Sequence, residues 1–222
     1  MQIKRFNSRP ELHDKALALM EEQMRIASPT PRAIVLPGGR TPFGIYSALA
    51  AARPPIDPHL HLILSDERHV AADSPESNHG RMLPLFTRAG FAARQFLHPD
   101  TALALDDCAA AYDHRLAEFF ERGGRVTLSL LGIGSDGHTA SLFDMASLRR
   151  AGNEFAIAVR RPDPPDRISV TPRLLRASER VIFLCTGVEK KDIIAQIERN
   201  PEEVVAACAV AGVENVELWY SD

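Results

Sequence analysis

The sequence is poor in cysteine and in aromatic residues, and it has no large excess of charge of either sign. It has only three cysteines, Cys108, Cys185 and Cys208, and so small and odd a number does not form a disulfide framework. None of them has a second cysteine at the spacing of a metal site. We therefore expect a protein of a reducing compartment, the cytoplasm, without a cysteine metal site.

Long apolar runs are also lacking. The longest stretch of small apolar residues, VVAACAVAGV at 204–213, has about half the length that a membrane-spanning helix needs. The N-terminal residues include early basic residues but no uninterrupted apolar segment of the kind found in a signal peptide. The net charge of −3 requires no basic face, so we expect neither a membrane nor a nucleic acid as a partner.

What the chain does have is the composition of a folded protein. Hydrophobic residues make up 45% and charged residues 25%, which argues against extended disorder. A length of 222 residues is enough for one substantial core and short for two full domains. We predict a single domain over 1–222, with an added small lobe as the alternative, and an ordered loop at the proline-rich segment 160–167.

Short apolar runs alternate along the chain with patterns of helical spacing. Helices are predicted at 10–27, from Thr41 as N-cap and Pro42 onward, at 104–122 and at 188–200. The strand candidates are 33–36, 61–65, 126–134, 155–159, 167–171, 181–185 and 216–220. Several of these strands are apolar on both faces, which indicates an α/β fold with a mainly parallel sheet covered by helices on both sides.

The segment LPGGRTP at 36–42 joins a predicted buried strand to a predicted helix through two glycines. Glycines let the backbone approach a ligand closely, and the free N–H groups of a helix start attract anions such as phosphate. An ordinary strand-to-helix turn has the same pattern, so the segment by itself leaves both interpretations open.

Three consecutive charged residues, Asp66, Glu67 and Arg68, directly follow the predicted strand 61–65. Ligands bind at the carboxyl ends of the strands in open α/β sheets, which favours a role in a binding site. The alternative is a solvent-exposed loop, because runs of charge usually face water. The nearby His69 and His79 are expected to be incidental surface or loop residues.

The most specific segment is LGIGSDGHTASLF at 131–143. A predicted strand ends in Gly132 and Gly134, and Asp136 and His138 follow two residues apart. A histidine whose tautomer is fixed by a carboxylate suits general-base catalysis, and glycines let backbone N–H groups face a developing negative charge. The alternative is a helix-capping aspartate beside an incidental histidine. A helix is expected to begin at the serine and threonine after His138.

Two cations also lie beside predicted strand ends. Arg167 stands at the start of the strand 167–171, and Lys190 follows the strand 181–185. Convergence of both on one pocket would complement a phosphate group. Surface solubility, the role of most lysines and arginines, is the alternative.

Together and in this order, these segments resemble the 6-phosphogluconolactonase family, which is related to the glucosamine-6-phosphate isomerases and deaminases. The resemblance covers most of the chain and rests on GG-x-TP, DER followed by SN, LGIGSDGHTASLF, RISVT and G-x-x-K, which are highly specific as a set. It implies a Rossmann-like three-layer α/β sandwich of the isomerase/CoA-transferase type. It also implies an enzyme of the oxidative pentose phosphate route that hydrolyses a phosphorylated sugar lactone without a metal or nucleotide cofactor. We expect a monomer or weak homo-oligomer.

The resemblance also implies roles for individual positions. Phosphate contacts would come from the glycine turn and from two cations, namely Gly38, Gly39, Arg40, Thr41, Arg167 and Lys190. The catalytic groups would be His138, Asp136 and Arg68, and the sugar site would be lined by Asp66, Arg68 and Asn78. Two positions depart from the family pattern: a serine is frequent at the position of Arg40, and a proline at that of Asp144. The first changes the geometry of a phosphate contact, and the second is expected to alter only a loop.

Three other functions compete with lactone hydrolysis. A related isomerase or deaminase would carry a glutamate in an N-E-P context shortly after DGH, where this sequence has Ser-Leu-Phe-Asp at 141–144, and an aromatic residue in place of Arg68. A non-catalytic sugar-phosphate sensor would usually add a DNA-binding module, for which 222 residues leave no visible room. A nucleotide-binding Rossmann domain would need a G-x-G-x-x-G segment after the first strand and an acidic residue at the end of the second in the required register, and this combination is not found.

Overall fold

The fold is described by a computed structural model of residues 1–222, in which every residue is described except for the side chain of Arg40. The strands are β1 (Gln2–Arg5), β2 (Arg32–Leu36), β3 (Leu60–Leu64), β4 (Asp66–Arg68), β5 (Phe96–Leu97), β6 (Arg125–Gly132), β7 (Ala156–Val159), β8 (Arg167–Val170), β9 (Val181–Thr186) and β10 (Val216–Ser221). The helices are α1 (Arg9–Arg25), α2 (Arg40–Ala52), α3 (Asn78–Ala89), α4 (Leu105–Glu121), α5 (Met145–Arg150), α6 (Pro172–Arg176), α7 (Lys191–Arg199) and α8 (Val205–Ala209).

Seven strands form a parallel sheet in the order β1-β10-β9-β6-β2-β3-β5. All five residues of β2 are buried, and its side chains alternate between two hydrophobic clusters. Ala33 and Val35 pack with α4, α7 and α8, whereas Ile34 and Leu36 pack with α1, α2 and α3. The predicted three-layer α/β sandwich with a mainly parallel sheet is therefore confirmed.

A second, antiparallel sheet has the order β4-β8-β7. The sequence pattern predicted β7 and β8 as strands but did not separate them from the parallel sheet. The proline-rich loop 160–166 connects these two paired strands, and the N–H of Arg161 donates to Asp166 Oδ1 at 2.8 Å within it. Strand β4 pairs with β8 and so attaches this sheet to the end of β3.

Local structure differs from the sequence predictions at three places. Helix α2 begins at Arg40 with Gly39 as its N-cap, so Thr41 and Pro42 lie inside the first turn. The prediction of a helix directly after His138 is wrong, because Ala140 has a positive φ of 49° and the next helix begins only after Asp144. Helix α3 was not predicted at all, although Ser77 caps it by accepting from the N–H of Gly80 at 2.9 Å.

Among the described residues, no helix combines the length and the apolar character that crossing a membrane would require.

Candidate active site

The predicted site residues lie at one edge of the parallel sheet. Strands β9, β6, β2 and β3 are neighbours in this order and run parallel, so their carboxyl ends meet at the same edge. The glycine turn follows β2, the charged residues follow β3, the DGH segment follows β6 and Lys190 follows β9. Sequence segments that are far apart along the chain therefore supply one local site.

A cavity of about 560 Å³ opens at this edge, and its wall includes Gly38, Gly39, Thr41 and Lys190. Thr186 also lines this cavity, and the hydroxyls of Thr41 and Thr186 are hydrogen-bonded to each other at 2.9 Å. Lys190 Nζ donates to the carbonyl oxygen of Ile133 at 2.8 Å, which holds the ammonium group at the end of β6. Four of the predicted phosphate ligands thus share one cavity, and the prediction for the Arg40 side chain lies outside the described part of the chain.

The side chain of Asn78 packs closely against the glycine turn. A Cβ atom at Gly38 would lie 2.2 Å from Asn78 Oδ1, so only glycine fits at this position. Asn78 is only 1% exposed, and its Nδ2 donates to the carbonyl oxygen of Asp66 at 2.9 Å. The structure therefore places Asn78 beneath the turn, where it supports Gly38, and not on an open sugar-binding surface.

Asp136 and His138 form a pair. His138 Nδ1 lies 2.6 Å from Asp136 Oδ1, and the backbone N–H of His138 donates to the same oxygen at 3.3 Å. Partial burial raises the pKa of Asp136, but the hydrogen bonds and charge of His138 outweigh it and hold this pKa below its usual value. The aspartate thus fixes the Nδ1–H tautomer and leaves Nε2 free to accept a proton.

The pair packs closely on Gly134, the residue that follows Ile133 in the wall of the cavity. A Cβ atom at Gly134 would lie 2.2 Å from His138 Nδ1 and 2.3 Å from Asp136 Oδ1. The N–H of Gly134 donates to the carbonyl oxygen of His138 at 2.9 Å, and Gly134 directly follows Ile133, which lines the cavity. The imidazole therefore packs on a residue adjacent to the cavity wall, and its side chain is 30% exposed.

An aromatic ring and a cation lie behind this imidazole. The ring centroids of His138 and Phe143 are 4.8 Å apart, and the guanidinium carbon of Arg161 lies 3.8 Å from the centroid of the Phe143 ring. The loop between β7 and β8 is thereby in contact with the segment that carries His138.

Asp66 connects two parts of the site. Its Oδ2 accepts from Ser141 Oγ at 2.7 Å and its Oδ1 from Ser65 Oγ at 3.0 Å. The N–H of Ser141 donates in turn to Ser169 Oγ on β8 at 3.1 Å. The carboxylate predicted to contact the sugar therefore also joins the end of β3 to the segment that follows His138.

Arg68 and Arg167 lie side by side, because they are paired in the register of β4 and β8. Arg68 Nη1 donates to the carbonyl oxygen of Glu76 at 2.8 Å, and Arg167 Nη1 donates to the carbonyl oxygens of Pro165 and Asp166. Burial, followed by the charge of Arg68, lowers the pKa of Arg167. Arg167 does not line the cavity that Lys190 lines, so the structure does not bring these two predicted phosphate ligands together.

Glu67 is a site residue whose role the sequence did not reveal. It is 1% exposed, and its carboxylate accepts from the N–H groups of Arg68, Asn78 and His79, each at 2.7 Å, and from Ser77 Oγ at 3.2 Å. Burial raises the pKa of Glu67, and the three backbone hydrogen bonds only partly offset this. The alternation of side chains along a strand could have indicated this burial, since it directs Glu67 to the face opposite to Asp66 and Arg68.

Among the described residues, no group of three or more histidine, cysteine, aspartate or glutamate side chains has an arrangement that could hold a metal ion.

Comparison with known proteins identifies the family of this site. The family model described as glucosamine-6-phosphate isomerases/6-phosphogluconolactonase matches residues 7–219. The chain belongs to this family. The curated 6-phosphogluconolactonase of Thermotoga maritima is 32% identical over 212 residues, which cover 95% of this chain and 90% of that protein. The 6-phosphogluconolactonase of Rattus norvegicus is 30% identical over 200 residues, covering 86% of this chain and 77% of that protein.

Solved structures agree with this membership of the family. The crystal structure of 6-phosphogluconolactonase from Thermotoga maritima superposes with a TM-score of 0.83 and 26% sequence identity, and covers 100% of this chain and 99% of that chain. A structure described as the devB protein gives a TM-score of 0.87 at 28% identity, over 100% of this chain and 96% of that chain. The sequence-based resemblance to the family is thus confirmed along the whole chain.

Proposed function

We propose that this chain hydrolyses 6-phospho-D-glucono-1,5-lactone to 6-phospho-D-gluconate, as a lactonase of the oxidative pentose phosphate pathway. The observation that carries the proposal is the His138–Asp136 pair, which has a 2.6 Å hydrogen bond and packs on Gly134, the residue that follows Ile133 in the wall of the cavity lined by Lys190. Relatives named 6-phosphogluconolactonase and matched over most of their length support the choice of substrate.

The phosphate group of the substrate binds in the cavity at the end of β2. Backbone N–H groups of the turn at Gly38 and Gly39 and the hydroxyl of Thr41 are suited to its oxygens, and Lys190, which lines the same cavity, supplies a positive charge. This binding fixes one end of the substrate and so directs the lactone carbonyl toward His138. Holding the reacting groups in place in this way lowers the barrier to reaction.

His138 acts as general base and then as general acid. Its Nε2 accepts a proton from a water molecule, whose oxygen forms a bond to C1 of the lactone. The tetrahedral intermediate collapses with cleavage of the bond between C1 and the ring oxygen, which takes the proton from His138. The carboxylic acid product then ionises to the carboxylate, and Asp136 stabilises the imidazolium that exists between the two proton transfers.

Arg68 and Arg167 stabilise the charge at the lactone end of the substrate. They lie together on β4 and β8, next to Asp66, which the hydroxyl of Ser141 joins to the His138 segment. A tetrahedral intermediate carries a negative charge on the former carbonyl oxygen, and two guanidinium groups are suited to it. We therefore assign Arg167 to this end of the substrate, in place of the phosphate contact expected from the sequence.

The isomerase or deaminase alternative gains no support from the segment after His138. Such a reaction needs a further carboxylate near the sugar. Asp144 is the carboxylate that follows His138 most closely, and it is exposed and accepts from the N–H of Ser147 at 2.6 Å as the N-cap of α5. Its side chain is thereby used to begin a helix.

Timed hydrolysis of fresh 6-phosphogluconolactone against its spontaneous background tests the proposal. The wild-type chain should accelerate ring opening, and His138→Gln should lower kcat by about 10²- to 10⁴-fold, the range typical of general-base catalysis. His69→Gln is the matched control, because His69 contacts the carbonyl oxygen of Leu103 at 2.9 Å and no part of the catalytic pair. No acceleration by the wild type, or equal rates for all three proteins, would contradict the proposal.

The remaining parts of the proposal concern the context of the enzyme. We propose a single catalytic domain that works in the cytoplasm as a monomer or weak homo-oligomer, with the phosphorylated lactone as its partner and no nucleic acid. Three free cysteines, of which Cys108 and Cys185 are buried, fit a reducing compartment. Light scattering at micromolar concentration tests the oligomeric state, and a stable dimer or larger assembly would contradict it.

A further inference from the structure

The N-terminal turn of α1 reaches the cavity that we assign to the phosphate. Arg9 and His13 lie on this helix, and both line the cavity together with Gly38, Gly39 and Lys190. Neither the sequence motifs nor the resemblance to the family drew attention to these two residues. Their position makes α1 a third wall of the cavity, beside the turn after β2 and the segment after β9.

The position of Arg9 is fixed by the capping of its helix. Ser8 is the N-cap and accepts from the N–H of Glu11 at 3.3 Å, and Pro10 lies in the first turn. The Glu11 carboxylate accepts in return from the N–H of Asn7 at 2.9 Å and from its Nδ2 at 3.2 Å. These contacts hold the backbone of Arg9 at one place on the rim of the cavity.

Close packing of α1 on α2 brings Arg9 to that place. A Cβ atom at Gly44 would lie 3.0 Å from His13 Cε1 and 3.1 Å from its Nδ1, so His13 packs directly on the backbone of α2. Glycine inside a helix costs about 1 kcal/mol relative to alanine, and here it lets the two helices approach. Since α2 begins at the glycine turn, this contact sets the distance between α1 and the turn.

The charges that line the cavity show why Arg9 matters. The charged side chains of the described part of its wall are Arg9, Lys190 and Glu189. Burial, followed by the charge of Arg9, lowers the pKa of His13, so this imidazole is neutral near pH 7 and adds no positive charge. Two positive groups and one negative group give this set a net positive charge, which it would lose without Arg9.

Arg9 is also available to a ligand. Among the described side chains, no carboxylate lies within the 4.0 Å limit of an ion pair with Arg9. A phosphate monoester carries a charge of about −1.5 to −2 at pH 7 and attracts a planar guanidinium group that can donate two hydrogen bonds. Lys190 already donates one of its three N–H groups to Ile133.

We infer that Arg9 binds the phosphate group together with Lys190 and contributes to the preference of the enzyme for a phosphorylated lactone over the unphosphorylated sugar. This inference rests on the proposed function, because it names a further ligand for the same substrate. It predicts that Arg9 acts on binding and leaves the chemical step at His138 unchanged.

Steady-state kinetics of Arg9→Ala with 6-phosphogluconolactone and with unphosphorylated gluconolactone provide the test. We expect KM for the phosphorylated lactone to rise about tenfold, which corresponds to about 1.4 kcal/mol. The value of kcat should stay within about twofold, kcat/KM for gluconolactone should not change, and Arg9→Lys should recover part of the loss. Arg25→Ala, at the other end of α1 and paired with Glu21 at 2.9 Å, is the matched control and should equal the wild type.

Calorimetric titration with inorganic phosphate adds a readout that does not depend on turnover. The dissociation constant for phosphate should rise by a similar factor in Arg9→Ala and not in Arg25→Ala. An unchanged KM and phosphate affinity in Arg9→Ala, or an equal loss with both lactones, would overturn the role of Arg9. If the wild type itself fails to accelerate lactone opening, the proposed function fails, whereas an active wild type with an unaffected Arg9→Ala refutes only this inference.

Discussion

The carboxylate of Glu67 and the backbone N–H of Asn78 are joined by a hydrogen bond of 2.7 Å, which ties β4 to the first turn of α3. Glu67 is buried, and it also accepts from the N–H of His79 at 2.7 Å and from Ser77 Oγ at 3.2 Å. A negative charge at a helix N-terminus is stabilised by the free N–H groups there. The short strand that carries Asp66 and Arg68 is therefore anchored by the residue between them.

Glu67→Ala should lower the free energy of unfolding by about 3 kcal/mol, because it leaves several buried N–H groups without an acceptor. Urea unfolding followed by circular dichroism measures this change. Glu76→Ala is the control, since Glu76 is exposed and contacts Arg68 through its backbone carbonyl oxygen. Equal stabilities of the two variants would show that the Glu67 contacts contribute little.

Gly134→Ala tests the packing of the catalytic pair. The added methyl group would lie 2.2 Å from His138 Nδ1 and 2.3 Å from Asp136 Oδ1, so the pair must shift by a large part of an ångström. A displacement of this size lowers turnover by about 10²-fold. We expect kcat for the phosphorylated lactone to fall by this factor while KM, which reflects binding at the phosphate site, changes little. A variant with unchanged kcat would show that this geometry is not needed.

The stacked imidazoles of His79 and His98 should make stability depend on pH. Their ring centroids are 3.5 Å apart. Burial, followed by the charges of His98 and Arg115, lowers the pKa of His79 from 6.5 to about 4, and burial also lowers the pKa of His98. The unfolded chain binds a proton at His79 near pH 6.5 and the folded chain only near pH 4, so the stability contributed by neutral His79 is complete above pH 6.5 and decreases as the pH falls toward 4; the lowered pKa of His98 acts in the same direction.

The measurement for this pair is the free energy of unfolding in urea at several values between pH 7.5 and 4.5. The double variant His79→Gln, His98→Gln should show a smaller decrease than the wild type. Some decrease should remain, because burial also lowers the pKa of His13 and His61. His114→Gln changes an exposed side chain and should follow the wild type. Parallel curves for all three proteins would contradict the assignment to this pair.

The sequence predicted those features of the site that depend on local pattern. Buried strands ending in glycine placed Gly38 and Gly134 at one sheet edge, and the two-residue spacing of Asp136 and His138 allowed a contact within one loop. These predictions needed only strand ends and short spacing, and the structure agrees with both.

Features that depend on contacts between residues far apart in the sequence could not be predicted from local pattern. The helix expected after His138 does not form, since Thr139 Oγ1 donates to the carbonyl oxygen of Gly132 at 2.9 Å and Ser141 is held by Asp66 and Ser169. These tertiary hydrogen bonds outweigh a local helix preference. Asn78 was expected to line the sugar site, but it is buried because α3, which the sequence pattern did not predict, packs against the glycine turn.

The position of Arg9 could not be predicted from local sequence pattern either. Ser8 and Pro10 mark the start of a helix in the sequence, yet no local pattern tells which part of the sheet that start will face. The close approach of His13 to Gly44 decides it, and this contact spans two helices. A residue of this kind becomes a candidate ligand only when the fold is known.

A crystal structure of the chain with bound 6-phosphogluconate tests the central claim most directly. The account predicts phosphate oxygens within hydrogen-bonding distance of Lys190 Nζ and of the turn at Gly38 and Gly39, with the carboxylate of the product next to His138 Nε2. A phosphate group bound instead between Arg68 and Arg167, with the product carboxylate directed away from His138, would contradict it.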